Sequence, residues 1–412
     1  MRFWTFALTV STSLAPFAQA AADVKVTTVN GRRQCVVTAR GDKQDDVPNI
    51  KKAFQTCNKS ATVVFPEGQT YWIGQKLNPV LEDVDIDWRG EWLYSDDIEY
   101  WRNHSYNITF QNHNTGFILT GKNIRVDGHG TGGINGNGDI WYTADEGDTT
   151  QGRPMPFNIW NVTDVSVKNF YVKQPQLWSI NLMNGTNVLL ENIVVSAKST
   201  KQPDGENWVQ NTDGLDTMDA NHVQVTNFTY TGGDDCIALK PRSYNVTVTG
   251  ATCNGGNGIT VGSIGEYLED SSVKDVYMSD LKVPGTRYGV YIKTWTGVPT
   301  PQESYEAAGL PRGGGWGVAQ NITFDNVNID SADHVFMVDQ NNGGNSSTAG
   351  TSKMTISDIH LKNFHGKASD NTATINCSKS HPCFDFYFTN MTTLKGSCTN
   401  VKSGTFHGLS GC

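Results

Sequence analysis

Asp164-Val165-Ser166-Val167-Lys168-Asn169-Phe170-Tyr171-Val172 is followed 23 residues on (164→187) by Asn187-Val188-Leu189-Leu190-Glu191-Asn192-Ile193-Val194-Val195. Apolar residues alternate in both, the period of a half-buried strand, and an Asn in each introduces a second apolar pair. The opening phrase recurs as Asn123-Ile124-Arg125-Val126, His222-Val223-Gln224-Val225, Asn245-Val246-Thr247-Val248 and Asp275-Val276-Tyr277-Met278, then as Asn321-Ile322-Thr323-Phe324 and Lys353-Met354-Thr355-Ile356. From one first apolar residue to the next the spacings are 165→188 (23), 188→223 (35), 223→246 (23), 246→276 (30), 276→322 (46) and 322→354 (32). A floor of 23 with longer exceptions is what a solenoid shows when loops are inserted into some coils. Short strands joined by turns predict an all-β fold, a single-domain right-handed parallel β-helix over residues 21–412. A β-propeller wants roughly 40–50 residues per blade, and a sandwich wants hairpin turns, which are scarce here. The one amphipathic helix expected, Val47 to Cys57, caps the N-terminal end.

Composition narrows the function. Of 412 residues, 37% are hydrophobic and 18% charged, and 42 are Gly with no Gly-X-Y period, so neither disorder nor collagen fits. The balance of 32 Lys+Arg against 41 Asp+Glu gives −9 with no basic stripe, which argues against nucleic-acid binding. Past the N-terminus no apolar run reaches membrane-spanning length. Residues 1–20, with Arg2 before an apolar run and Ala18-Gln19-Ala20 as a small-x-small site, read as a secretory signal peptide. An extracellular destination agrees with eight Cys, and with N-x-S/T sequons at Asn58, Asn103, Asn107, Asn161, Asn184, Asn227, Asn245, Asn321, Asn345, Asn376 and Asn390. Spacing suggests Cys236–Cys253 in adjacent coils, Cys377–Cys383 around a small loop and Cys398–Cys412 at the end, leaving Cys35 and Cys57 for the N-terminal cap. Eight Cys allow 105 connectivities, so the pairing stays open at this level. No CxxC pair and no HExxH is present, so no metal site is expected.

Two acidic phrases stand out, Asn211-Thr212-Asp213-Gly214-Leu215-Asp216-Thr217 and Gly232-Gly233-Asp234-Asp235-Cys236. Asp213 and Asp234 are about one coil apart, and neighbouring strands lie ~4.8 Å apart, so Asp213, Asp234 and Asp235 should cluster. Crowded carboxylates cannot all ionise, which leaves one holding a proton beside an ionised partner, the pairing that glycoside hydrolysis uses. Turn chemistry alone also favours Asp-Gly and Gly-Asp-Asp, but two such phrases one coil apart point to catalysis. Calcium binding is disfavoured because no GGxGxD run occurs. Further along the column stand Asn257, in Gly255-Gly256-Asn257-Gly258, and Lys293, a partner for the carboxylate of an acidic sugar.

NTDG, GGDDC, GGNGITVGS and YIKT, in this order on such a repeat, resemble glycoside hydrolase family 28, the polygalacturonase family. The resemblance implies a right-handed parallel β-helix, inversion of anomeric configuration and no cofactor, with Asp234 as general acid. It implies that Asp213 and Asp235 hold and deprotonate the attacking water, with roughly 6.5–9.5 Å between acid and base. Two departures from the endo-acting pattern occur: Asn257 replaces the His of a GHG phrase, and Tyr291-Ile292-Lys293 replaces Arg-Ile-Lys, with Arg287 four residues earlier. Both resemble a fungal exo-acting branch that releases terminal galacturonic acid from pectin, so Asn257, Tyr291, Arg287 and Lys293 are substrate-binding candidates. A rhamnogalacturonan-cleaving exo-enzyme, an endo-polygalacturonase and a non-catalytic pectin-binding solenoid are the alternatives, in that order. The insertion Val298 to Gly317, with Pro299, Tyr305 and Trp316, is the expected lid that would stop a polymer from passing through. Trp88, Trp92, Tyr94, Tyr100, Trp101 and Trp178 read first as packing residues. His129, in Asp127-Gly128-His129-Gly130, lies several coils from Asp213 and takes no catalytic role. The partner is a pectic polysaccharide or oligogalacturonide, and the chain is expected to be a monomer.

Overall fold

The computed structural model describes residues 24–391 and 394–412, so the expected signal peptide at 1–20 lies outside the described residues. Asx corners shape the coil. Asn123, Asp164, Asn187, His222, Asn245, Asp275, Asn321 and Asp358 all adopt positive φ, between 52° and 59°. Left-handed backbone is costly for most L-residues, but a short polar side chain that bonds locally tolerates it. The apolar residue after each corner turns inward, and Val84, Ile124, Val165, Val188, Val223, Val246, Val276, Ile322 and Ile359 stack in one parallel register. All nine are buried in one continuous core.

The eighth repeat phrase needs correction. Ile322 pairs with Ile359, five residues beyond Met354, which pairs instead with Gly317. Two alternating runs compete there, and only Asp358-Ile359-His360-Leu361 begins with a residue in left-handed geometry, φ 57°. On the outside the corner residues bond to each other from coil to coil, Asn187 Nδ2 to Asp164 Oδ1 at 2.9 Å and Asn227 Nδ2 to Asn192 Oδ1 at 2.8 Å.

The helix spans Val47–Thr56 and buries Val47, Ile50, Ala53 and Phe54, as its apolar spacing required. An antiparallel hairpin, Val24–Val29 with Arg32–Val37, joins it at this end. Trp88, Trp92, Tyr94 and Trp101 are fully buried, with the Trp88 and Trp92 rings 4.1 Å apart, so these aromatics pack the solenoid. All four disulfides pair as the spacing suggested: Cys35–Cys57, Cys236–Cys253, Cys377–Cys383 and Cys398–Cys412. Among the described residues no helix is long and apolar enough to cross a membrane.

One face matters for function. It is the sheet whose strands include Phe157–Trp160, Ile180–Met183, Leu215–Met218, Ile237–Leu239, Ile259–Gly262 and Val290–Lys293. Turns at the beginning of these strands carry the acidic phrases.

Candidate active site

Asp213 sits in the turn before strand residue Leu215, Asp234 in the turn of the next coil, and Asp235 opens that coil's strand Asp235–Leu239. The coils are tied together by Gly214 N–H donating to Asp235 O and Asn257 N–H donating to Asp234 O, both at 2.9 Å. Gly256 must be glycine: its φ is +72°, and a Cβ would stand 2.0 Å from Asp234 O. One carboxylate oxygen from each of Asp213, Asp234 and Asp235 lies within 4.8 Å of the others. The wider acid–base separation expected from the sequence is therefore not found. Adjacent residues and adjacent coils hold the three acids at about one strand spacing.

Their surroundings differ. Asp234 Oδ1 accepts from Asn257 Nδ2 at 2.9 Å and from Asp235 N–H at 2.8 Å, and its Oδ2 accepts from Asn211 N–H at 2.9 Å. Asp235 takes the Lys293 ammonium at 2.8 Å and the Thr260 hydroxyl at 2.9 Å. Burial and the adjacent Asp235 charge raise the Asp234 carboxyl above its usual range, more than Lys293 and the backbone donors lower it. Burial also works against ionisation of Asp235, but Lys293, Lys240 and the two donors outweigh it and hold that carboxyl low. Asp213 is raised by burial and by Asp216 and Asp234. The cluster thus sets two carboxyls raised above their usual range beside one held low.

The remaining sequence candidates lie around this centre. Lys293 is in register with Gly262, and its ammonium is 5.5 Å from the Tyr291 ring. Tyr291 packs 4.5 Å from Tyr288, and Arg287 lies exposed on the rim, 5.2 Å over that same Tyr288 ring. His129 is remote, paired with Asp87 at 2.8 Å. Two groups escaped the sequence reading. Asp216 and Lys240 are both buried, 3.3 Å apart, and Lys240 is also 3.8 Å from Asp213. Counting by twos along the strand from Asp216 would have found the outward column, but Lys240 follows the apolar run Cys236-Ile237-Ala238-Leu239 and reads as its end.

Two insertions meet over the sheet. The segment Tyr106–Thr115, a hairpin of Tyr106–Ile108 and His113–Thr115, starts from the edge where the strands begin. Its tip reaches loops at the opposite edge: Gln111 Nε2 donates to Glu266 Oε2 at 2.6 Å, Gln111 N–H to Tyr267 Oη at 2.9 Å, and Asn112 Nδ2 to Tyr305 O at 3.1 Å. Glu266 is locked by Arg312 at 2.5 Å, and Tyr305 Oη meets His113 Nδ1 at 3.1 Å. The strap therefore crosses the face beside Trp178, whose ring lies 4.5 Å from His113 and 4.5 Å from the Lys240 ammonium. Tyr305 and Arg312 of the expected lid make this closure. Trp316 does not, standing 52% exposed in strand Trp316–Asn328.

The model of the family described as "Glycosyl hydrolases family 28" matches residues 58–407. The chain belongs to glycosyl hydrolase family 28. An Aspergillus niger protein named "Putative galacturan 1,4-alpha-galacturonidase C" is 51% identical over 93% of this chain and 94% of its own. "Exopolygalacturonase X" of Aspergillus niger is 35% identical over 87% and 82%. In fold, this family 28 chain resembles the endo-xylogalacturonan hydrolase of Aspergillus tubingensis, with TM-score 0.74 and 24% identity over 92% of this chain and all of the other.

Proposed function

We propose that this chain is a secreted, exo-acting, inverting hydrolase that releases terminal galacturonic acid from homogalacturonan, with residues 21–412 as one catalytic domain behind a cleaved leader. The carrying observation is the carboxylate trio within 4.8 Å, in which Asp234 meets amide donors and Asp235 meets the Lys293 ammonium. Asp234 protonates the bridging glycosidic oxygen as the bond from C1 to that oxygen breaks. A water between Asp213 and Asp235 gives its proton to Asp235 and its oxygen to C1 from the opposite face. Oxygens no more than 4.8 Å apart can be bridged by one water making hydrogen bonds of ~2.8 Å, so the short separation still admits the nucleophile. Raised by its neighbours, Asp213 positions this water, and the ionised Asp235 is the base.

The exo mode is supported by the strap, which shuts one end of the face against a through-running polymer, and by the galacturonidase and exopolygalacturonase names of the relatives. Lys293, Asn257, Tyr291 and Arg287 line the other side and receive the rest of the chain. An extracellular location is supported by the four disulfides.

Chromatography of the earliest products from polygalacturonate tests the mode. Free galacturonate alone is expected; mixed oligomers would make the enzyme endo-acting, and galacturonate from rhamnogalacturonan oligomers alone would favour the other exo-activity. No release of reducing ends would leave only a binding solenoid. Proton NMR of the first-formed sugar, expected as the inverted anomer, tests the stereochemistry, which a separation under 5 Å does not itself select.

A further inference from the structure

Lys293 is only one of two ammonium groups that flank the carboxylates. Lys240 N–H donates to Thr217 O at 2.8 Å, Leu239 pairs with Val261, and Gly262 pairs with Lys293. Lys240, Gly262 and Lys293 therefore succeed one another on three coils, with the two lysine backbones roughly 10 Å apart. Gly262 puts no side chain between them; a Cβ there would stand 2.3 Å from Lys293 O at φ +129°. Lys293 reaches Asp235 at 2.8 Å, beside the Tyr291 ring. Lys240 faces the strap through Trp178.

The side chain of Lys240 is 4% exposed, against 2% for Asp213 and 1% for Asp235, so it lies as deep as the reacting groups and no deeper. Asp216 and Asp213, at 3.3 and 3.8 Å, do not saturate its three donors. Four carboxylates surround two ammonium groups here, and another anion is tolerated only against an ammonium. In a galacturonate chain every sugar carries a carboxylate, so the scissile bond has one on each side. We propose that Lys240 receives the carboxylate of the terminal sugar at the strap-closed end, and so makes an acidic chain end a requirement for cleavage. This rests on the exo reading above.

The test compares trigalacturonate with the same trimer whose terminal galacturonate has been reduced to galactose. Wild type is expected to prefer the acidic end in kcat/KM by at least about 30-fold, the scale of an unpaired buried charge. Lys240→Met, or Lys240→Gln if the first variant does not fold, should bring the ratio within about threefold while still releasing the neutral sugar. Equal use of both trimers by wild type would overturn the assignment. So would a folded variant that keeps the preference, or variants that lose both substrates alike, since these mark Lys240 as structural support for Asp213 and Asp216. Wild type that releases no galacturonate from polygalacturonate would sink the exo reading first, a result separable from these.

Discussion

Asp234 and Asp235 are neighbours in sequence whose carboxyls are shifted in opposite directions, and the cause is which partners each meets. Asp235 faces the Lys293 ammonium, whereas Asp234 faces backbone and amide donors beside a like charge. The kcat/KM profile should therefore be bell-shaped. Its acid limb lies below the ordinary carboxylate range, where Asp235 gains a proton, and its alkaline limb lies above it, where Asp234 loses one. Lys293→Met should shift the acid limb upward, because the charge that holds Asp235 low is gone; an unmoved limb would refute this assignment. Asp234→Asn should cost several orders of magnitude in kcat without lowering the melting temperature, measured by reducing-end release and thermal unfolding. Asp213, Asp234 and Asp235 were legible as residues because two rare phrases fell one coil apart. Asp216 and Lys240 were not, because period-two counting marks Asp216 as outward but only the pairing of two coils shows that Lys240 meets it.

At the level of elements, the strap is anchored most deeply at the buried Glu266, beside its contacts to Tyr267 and Tyr305. Glu266→Ala removes the carboxylate that the Gln111 amide and Arg312 share. Arg312 keeps Glu306 at 3.1 Å, so losing one of its two acidic partners should destabilise this region by roughly 1–3 kcal/mol. The strap should then lift, and digestion of polygalacturonate should yield dimers and trimers beside monomer. An unchanged, monomer-only pattern would mean that the exo mode is set elsewhere. The disulfide Cys236–Cys253 closes a loop of 17 residues beside Asp235, so Cys253→Ser should cost about 3 kcal/mol, checked by denaturant unfolding. The corner ladder also bears on the sequons. Asn161, Asn184, Asn227, Asn245, Asn321 and Asn390 all have positive φ, and five of them donate Nδ2 to the corner of the preceding coil. The fold itself demands Asn there, followed by an alternating strand rich in Thr, so part of the sequon excess is turn chemistry. Glycopeptide mass spectrometry should find glycans first at the exposed sites off the ladder, Asn58, Asn103, Asn107 and Asn345, and not at the ladder positions.

For the whole molecule, the buried acids set the pH of greatest stability. Asp213 and Asp234 are raised by burial and by their acidic neighbours, and burial pushes Asp216 up to about 7 against the opposing Lys240 charge. A raised acid contributes stability below its unfolded value of about 3.9 and loses it as pH climbs through the folded value. Asp235 and Asp83 are held low by lysine or arginine partners, so their contribution is lost instead as pH falls. The melting temperature should accordingly peak at mildly acidic pH and decline toward pH 7, and Asp216→Asn should flatten that decline. A maximum at neutral pH would contradict this balance.

The coil, its Asx corners and the capping helix were determined by sequence alone, because period and left-handed turns are local properties that repeat along the chain. The slip at Lys353 shows the limit: two alternating runs differ only in which one begins at a left-handed corner, and stacking against Ile322 decides that. Tertiary structure decided the rest. The acid separation, the charge split between neighbouring aspartates, the buried Asp216–Lys240 pair and the strap across the face all join residues from different coils. Their energies depend on distance and burial, which no stretch of sequence carries by itself.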